Sequence, residues 1–310
     1  MKHVKSLSVG DQEQFDVIII GGSYSGLAAA MALGRALMHV LVIDSGLPCN
    51  RQTPFSHNFL TQDGNTPAEI ASIARKQVQA YESVRFFEGI ANYGKKTDTG
   101  FEIMVSTGQV FRSAKLIFAT GIRDIMPDIA GFAACWGISV LHCPYCHGYE
   151  VRHEKTGIFN NGEDAYEMAV LISNWTRDLT MFTNGHALLT TEQREQLASR
   201  QIGVVEKEFL KITHANGFMT EIVFKDGTSL PMTALYARNP FEQHCSIPIE
   251  LGCEMTEEGY LRIDAMQQTT MEGVYACGDN TTRMRSLANA VAMGTMAGVA
   301  VSRELIQEFW

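Results

Sequence analysis

The sequence predicts an α/β protein made of two Rossmann-like units of three-layer ββα type, and three observations predict it. An apolar strand enters a glycine-rich turn, a helix and a second strand near the start of the chain. The same order of elements recurs about halfway along, and segments of alternating apolar and polar residues follow both copies. At 310 residues the chain is long enough for two such domains.

The first copy opens with the strand Val17-Ile18-Ile19-Ile20 and turns through Gly21-Gly22-Ser23-Tyr24-Ser25-Gly26 into a helix over 27–37. The strand Val40-Leu41-Val42-Ile43 follows and ends at Asp44. In a dinucleotide fold the glycines let the backbone approach a pyrophosphate, the helix N-terminus favours its charge, and the terminal carboxylate accepts ribose hydroxyls. Ser23 stands where the middle glycine of that fingerprint is expected. Next come a predicted helix over 66–81, antiparallel strands such as 101–105, and the strand Lys115-Leu116-Ile117-Phe118-Ala119 running into Thr120-Gly121. Pro127, Asp128 and Gly131 then mark a boundary. The second copy has the strand 156–159, the turn Asn160-Asn161-Gly162-Glu163-Asp164-Ala165, a helix ending near Trp175 and the strand 179–182, and it lacks most phosphate-binding glycines. A hairpin around Lys225-Asp226-Gly227 follows, and the chain closes with the strand 273–277, Gly278-Asp279 and a long helix over 286–308.

Composition removes several functions. A net charge of -9 without clustered Lys and Arg argues against nucleic acid. With 45% hydrophobic and 19% charged residues and no low-complexity tract, the chain does not read as disordered. The polar segment Met1 to Gln14, carrying Asp11 and Glu13, does not read as a secretory signal, and no apolar stretch reaches the roughly 20 residues of a membrane span. A cytoplasmic location is expected, where the seven cysteines would not form a structural disulfide framework. Cys49, Cys135, Cys245, Cys253 and Cys277 read as small buried residues.

The segment His142-Cys143-Pro144-Tyr145-Cys146-His147-Gly148-Tyr149-Glu150 carries the chemistry. As a c-type haem attachment motif it would need export and axial ligands; as a zinc site it would need a second close ligand pair, which the sequence does not show. A redox dithiol suits a cytoplasmic chain with a dinucleotide fingerprint, because thiols two residues apart close a small disulfide ring. No metal is expected. His142 and His147 are candidate proton acceptors.

The order of Gly21-Gly22-Ser23-Tyr24-Ser25-Gly26, Ala119-Thr120-Gly121, Cys143-Pro144-Tyr145-Cys146, and Gly278-Asp279 with Met284-Arg285-Ser286 resembles the low-molecular-weight thioredoxin reductases over nearly the whole chain. The resemblance implies FAD, held by the first fingerprint with Asp44, by Ala119-Thr120-Gly121 and by the segment from Gly278 to Arg285 and Ser286. It implies an FAD domain over 1–122 and 245–310, with an inserted NAD(P)-like domain over 123–244 that carries the dithiol. Cys146 would face the flavin as the charge-transfer thiolate, and Cys143 would exchange with the substrate. Asp279 would bond the ribitol region, and Gly278 would permit close backbone approach. The resemblance also implies a homodimer, a rotating second domain, and a thioredoxin-like protein or a small dithiol or disulfide as partner.

Two departures matter. The turn 160–165 is not glycine-rich and no Lys or Arg occupies 183–191, so NADPH binding is expected to be weak or absent. His147 stands where thioredoxin reductases carry an acid-base Asp. The run Cys143 to Glu150 looks more like flavin dithiol oxidases, which close disulfides in small molecules and reduce oxygen. It is also compatible with reductases that draw electrons from ferredoxin or flavodoxin. A non-catalytic redox-sensing flavoprotein is the rival of another class. The C-terminal pair Phe309-Trp310 is read either as stacking on the isoalloxazine or on a second planar cofactor in the vacated nucleotide site, or as packing on the surface or a dimer partner.

Overall fold

The computed structural model describes residues 14–310, the side chain of Phe309 excepted; the segment read as lacking a signal lies, up to Glu13, outside the described residues. The chain forms two compact units. One runs to Cys49 and resumes over Ala68–Arg123 and Glu242–Trp310; the other comprises Asn50–Pro67 and Asp124–Phe241. Residues 50–67, expected with the first unit, cluster instead with the second. There Gln52 Nε2 donates to Ala133 O at 3.5 Å, and His57 lies beside Glu150.

The first unit begins with β1 (Gln14–Ile20), α1 (Tyr24–Arg35) and β2 (Val40–Asp44). Val17, Ile18, Ile19, Val40 and Val42 are fully buried, as befits parallel strands covered on both faces. The helix stops before the predicted Leu37, because that residue takes a left-handed φ of 62°. Met38 N then bonds Leu33 O at 3.1 Å and Leu37 N bonds Gly34 O at 3.1 Å, which turns the chain back towards β1. Next are α2 (Pro67–Gln79), with Pro at its first position, β3 (Val84–Glu88), β4 (Ala91–Thr97), β5 (Gly100–Val105) and β6 (Val110–Phe118). The N-terminal half of β6 pairs antiparallel with β5, whereas its C-terminal half runs parallel to β1, so one strand serves both layers. The strand β7 (Ile122–Asp124) leads out.

The second unit contains α3 (Phe132–Cys135), β8 (Val140–Leu141), α4 (Pro144–His147), β9 (Thr156–Phe159), α5 (Gly162–Ile172), β10 (Leu179–Phe182), α6 (Thr191–Ser199) and β11 (Gly203–Val205). An antiparallel sheet of β12 (Phe209–Ala215), β13 (Phe218–Phe224) and β14 (Ser229–Pro231) precedes β15 (Ala234–Ala237). The parallel sheet has the order β11-β10-β9-β15-β8. Between the two sheets, Phe182, Phe209 and Phe224 form an aromatic cluster with centroids 5.3 to 6.0 Å apart.

The chain returns through β16 (Phe241–Gln243) and α7 (Ile247–Glu250) to β17 (Val274–Ala276), which runs parallel to β6, and ends in α8 (Leu287–Phe309). The first unit's parallel layer therefore reads β3-β2-β1-β6-β17, the same plan as the second unit's. By that equivalence β8 corresponds to β17, so Cys143 follows its strand where Gly278-Asp279 follows its own. The helix α8 crosses α1 closely: a Cβ at Gly294 would lie 2.0 Å from Ser25 O, and one at Gly298 2.6 Å from Ala29 O. At its far end Lys115, nearly buried, pairs with Glu304 and Glu308 at 2.6 Å each, and Tyr275 OH bonds Glu304. Among the described residues no helix is long and apolar enough to cross a membrane.

Candidate cofactor cradle and redox disulfide

The fingerprint turn of the first unit is built by close backbone approach. Gly21 has φ +103°, and a Cβ there would lie 2.2 Å from Ala119 O; a Cβ at Gly26 would lie 1.9 Å from Gly21 O. Any larger residue at either position would push strand, turn and helix apart. Ser23 replaces a glycine at no conformational cost, because it is the N-cap of α1 with φ -86° and ψ -162°, ordinary extended backbone. Tyr24 and Ser25 are buried in the first turn of α1. Asp44 closes β2 and accepts from Gly22 N at 2.9 Å and Gly46 N at 3.2 Å, so its carboxylate stands at the turn.

Three more predicted segments meet there. Ala119-Thr120-Gly121 leaves β6, and Gly278-Asp279 leaves the adjacent β17. Asp279 Oδ2 lies 3.5 Å from Arg285 Nε, and Ser286 caps α8, its Oγ accepting from Asn289 N at 3.2 Å. Asn280, which sequence reasoning missed, joins the two strand ends: its Nδ2 donates to Phe118 O at 2.9 Å and reaches Thr120 Oγ1 at 3.5 Å. Asn280 Oδ1 is buried without a hydrogen-bond partner, a cost that a bound donor would remove. A cradle of glycine backbone beside a helix N-terminus, a carboxylate at the ribose position and an orphaned buried acceptor fit a dinucleotide such as FAD. Gly21, Gly22, Gly26, Asp44, Thr120 and Asp279 would hold it.

The aromatic end of α8 does not belong to this cradle. Its N-terminus lies at the cradle and its 23 residues extend about 34 Å away, at about 1.5 Å per residue. Trp310 is fully exposed at the far end, so it does not stack on a flavin held by the same chain.

In the second unit Cys143 and Cys146 form a disulfide, with Cα atoms 5.3 Å apart. Cys143 is the N-cap of α4, and its Sγ accepts from Cys146 N at 3.2 Å. On reduction that N–H would stabilise a Cys143 thiolate. Both cysteines and His147 are partly buried, whereas Tyr145 and Tyr149 are exposed. The two histidines separate clearly. His142 packs near Trp136, with ring centroids 6.2 Å apart. His147 follows Cys146 directly and meets His57 edge-on at 6.5 Å. Burial, then the neighbouring His57, holds the His147 imidazole down to about 4, so at neutral pH it is a neutral proton acceptor. His57 Nε2 lies 3.6 Å from Glu150 Oε1, and His57 Nδ1 lies 3.7 Å from Asp63 Oδ2. His57 was invisible to sequence reasoning because the polar stretch 50–66 has no periodicity; the only signal was a lone histidine in a long loop. Among the described residues no group of three potential metal ligands occurs. Of the five other cysteines, Cys135, Cys253 and Cys277 are buried as expected, Cys245 is partly buried, and Cys49 is exposed in the loop after β2.

The turn 160–165 lies at the C-terminal edge of the second parallel sheet. A pocket there is lined by Phe159, Asn161, Phe182, Thr183 and Arg238 among others. Arg238, just past β15, is a cation outside 183–191 that reaches this edge from another strand, but it faces Asp164 at 3.4 Å.

Comparison with known proteins agrees with this geometry. The model of the pyridine nucleotide-disulphide oxidoreductase family matches residues 15–294. A thioredoxin reductase, tcpT, of Claviceps purpurea is 33% identical, covering 94% of this chain and 95% of that protein. Another, aclD, of Aspergillus oryzae is 29% identical over 94% of this chain and 96% of its own length. A solved structure of an oxidoreductase from Agrobacterium tumefaciens is 36% identical with a TM-score of 0.89, covering 95% of this chain and 99% of the other. The chain belongs to the pyridine nucleotide-disulphide oxidoreductase family, within its low-molecular-weight thioredoxin reductase-like branch, and is a flavin-dependent disulfide oxidoreductase.

Proposed function

We propose that the chain passes electron pairs between FAD in the first unit and the Cys143–Cys146 pair in the second, and on to a thioredoxin-type protein or a small-molecule thiol, without efficient use of NADPH. The observation that carries this reading is the disulfide itself, with a backbone donor on Cys143 Sγ and a neutral imidazole directly after Cys146. When bound, FAD supplies the two-electron acceptor and donor. A partner thiolate attacks Cys143 Sγ, the Cys143–Cys146 bond breaks, and Cys146 leaves as a thiolate. The second partner thiol loses its proton to His147 and attacks the partner sulfur of the mixed disulfide; the bond to Cys143 breaks, Cys143 leaves as a thiolate, the partner disulfide closes and both cysteines are left reduced. The reverse sequence reduces a partner disulfide. Electrons supplied by ferredoxin or flavodoxin would drive that direction.

The oxidase direction, with oxygen accepting the pair, is the second reading. It is favoured by the run Cys143 to Glu150, in which His147 stands in place of the acid-base Asp, as in the flavin dithiol oxidases that the run resembles. In either direction the working form is a cytoplasmic homodimer, and the pocket beside Phe159, Phe182 and Arg238 is the place for any second planar group. The test is Cys143→Ser. The variant should retain its flavin spectrum and lose turnover with dithiol and disulfide substrates, and undiminished turnover would refute the reading.

A further inference from the structure

We infer that residues 186–188 are a built-in occupant of the α5 end of the second unit's dinucleotide seat, latched by Asn161 and Glu206 beside the pocket that Phe159, Phe182 and Arg238 line, so that this unit excludes pyridine nucleotides by its own chain. The inference rests on the proposed routing of electrons without NADPH and gives it a structural cause.

In the first unit the turn before α1 is built of glycine backbone, with no loop tied across it by a capping side chain. In the second, the equivalent turn before α5 is crossed by the chain leaving β10. Asn161 is the N-cap of α5, and its side-chain amide makes three hydrogen bonds. Its Oδ1 accepts from Gly162 N and from Leu188 N, each at 2.8 Å, and its Nδ2 donates to His186 O at 2.9 Å. Gly162 N, one of the helix-end donors that would meet a pyrophosphate, is thus taken up by the side chain that holds the loop. Leu188 lies alongside the start of α5, within ordinary contact distance of a Cβ built on Gly162.

Glu206 fastens the same loop from the other side. Its Oε1 accepts from Ala187 N at 3.0 Å and from Arg194 Nη2 at 3.0 Å, while Arg194 Nη2 also reaches Ala187 O at 3.0 Å. A third tie joins the loop's exit to α5, where Gln193 Nε2 donates to Glu163 Oε2 at 2.6 Å. Glu206 stands just beyond β11, close to the end of β10, where a 2′-phosphate would need a cation. The two cations nearby are already engaged, Arg194 with Glu206 and Arg238 with Asp164, so neither is left to grip a phosphate. The residues present therefore do not fit the pyridine nucleotide that the family name implies.

Two measurements on the flavin-loaded protein test this. Amide hydrogen exchange should show Ala187 and Leu188 protected, unlike Gly185 beside them, although Leu188 is 70% exposed. Calorimetric titration with NADPH and with NADH should show no saturation at millimolar nucleotide for the native chain. Binding should tighten at least about tenfold in the double variant Asn161→Gly with Glu206→Gln, whose fold is verified by flavin bleaching with dithiothreitol. An unprotected Leu188 amide, or a folded variant that binds no better, overturns the latch and leaves the proposed dithiol chemistry standing. Micromolar binding to the native chain overturns both. If the double variant does not fold, the exchange pattern of the native chain decides.

Discussion

The two units share one plan and differ in what fills the turn after the first parallel strand. In the first, Gly21, Gly22 and Gly26 let turn, strand ends and helix approach closely before α1, and Asp44 stands at the next strand end. In the second, Asn161 ties a loop against the start of α5, while the strand that corresponds to β17 delivers a disulfide in place of Gly278-Asp279. A duplicated fold can thus keep its sheet while one copy holds a cofactor and the other presents a reactive group. The side chains at the strand ends decide which, and the sheet does not.

The contrast can be broken most severely at the sulfur pair. Cys146→Ser should lower turnover by about a thousandfold or more while the protein stays yellow, measured as steady-state dithiol consumption with flavin content from absorbance. Gly26→Val attacks the other unit. The new side chain collides with Gly21 O, so the purified variant should be colourless and should not regain FAD on dialysis against it; a yellow variant would mean the cradle lies elsewhere.

His147→Ala should cost about a hundredfold in turnover with the disulfide still able to form, and His147→Asp should recover much of it, since Asp is also a base. The same residue gives a stability test. Its folded value of about 4 lies below the ordinary 6.5, so the unfolded chain binds more protons between these values. Stability is complete above about pH 6.5 and falls as the pH drops towards 4, by at most about 3 kcal/mol, a decline that urea denaturation would show in the native chain and not in His147→Ala. The smallest effect is expected for His57→Asn, which removes a neighbour that depresses His147. The acid limb of the pH–rate profile should move up by a fraction of a unit with the maximal rate changed only a few-fold, whereas an unmoved limb would leave His57 a purely structural residue.

Most of the fold was legible because buried parallel strands are long apolar runs and the turn glycines have few other uses. The strands 17–20, 40–43, 156–159 and 179–182 fall inside β1, β2, β9 and β10. The short helices α3 and α4 span four residues each and were not predicted, since so few residues carry no period. Segment 50–67 was placed with its neighbours in sequence, because nothing in a polar loop announces the distant Glu150 and Ala133 that it meets. Within the site, Asn280 and His57 were hidden for one reason: each acts through a partner more than ninety residues away in sequence. Of the two readings of Trp310, its exposure agrees with packing on the surface or a partner and not with stacking on the flavin; the choice depended on the direction of α8, which the tail's own composition does not reveal.

The central claim is that the flavin and the cysteine pair trade electrons without a nucleotide, and anaerobic visible-absorbance titration tests it most directly. The account predicts that dithiothreitol bleaches the flavin of the native chain, that air restores the colour, and that NADPH or NADH at micromolar concentration leaves the spectrum unchanged. Rapid bleaching by micromolar NADPH, or a flavin untouched by the dithiol, would contradict it.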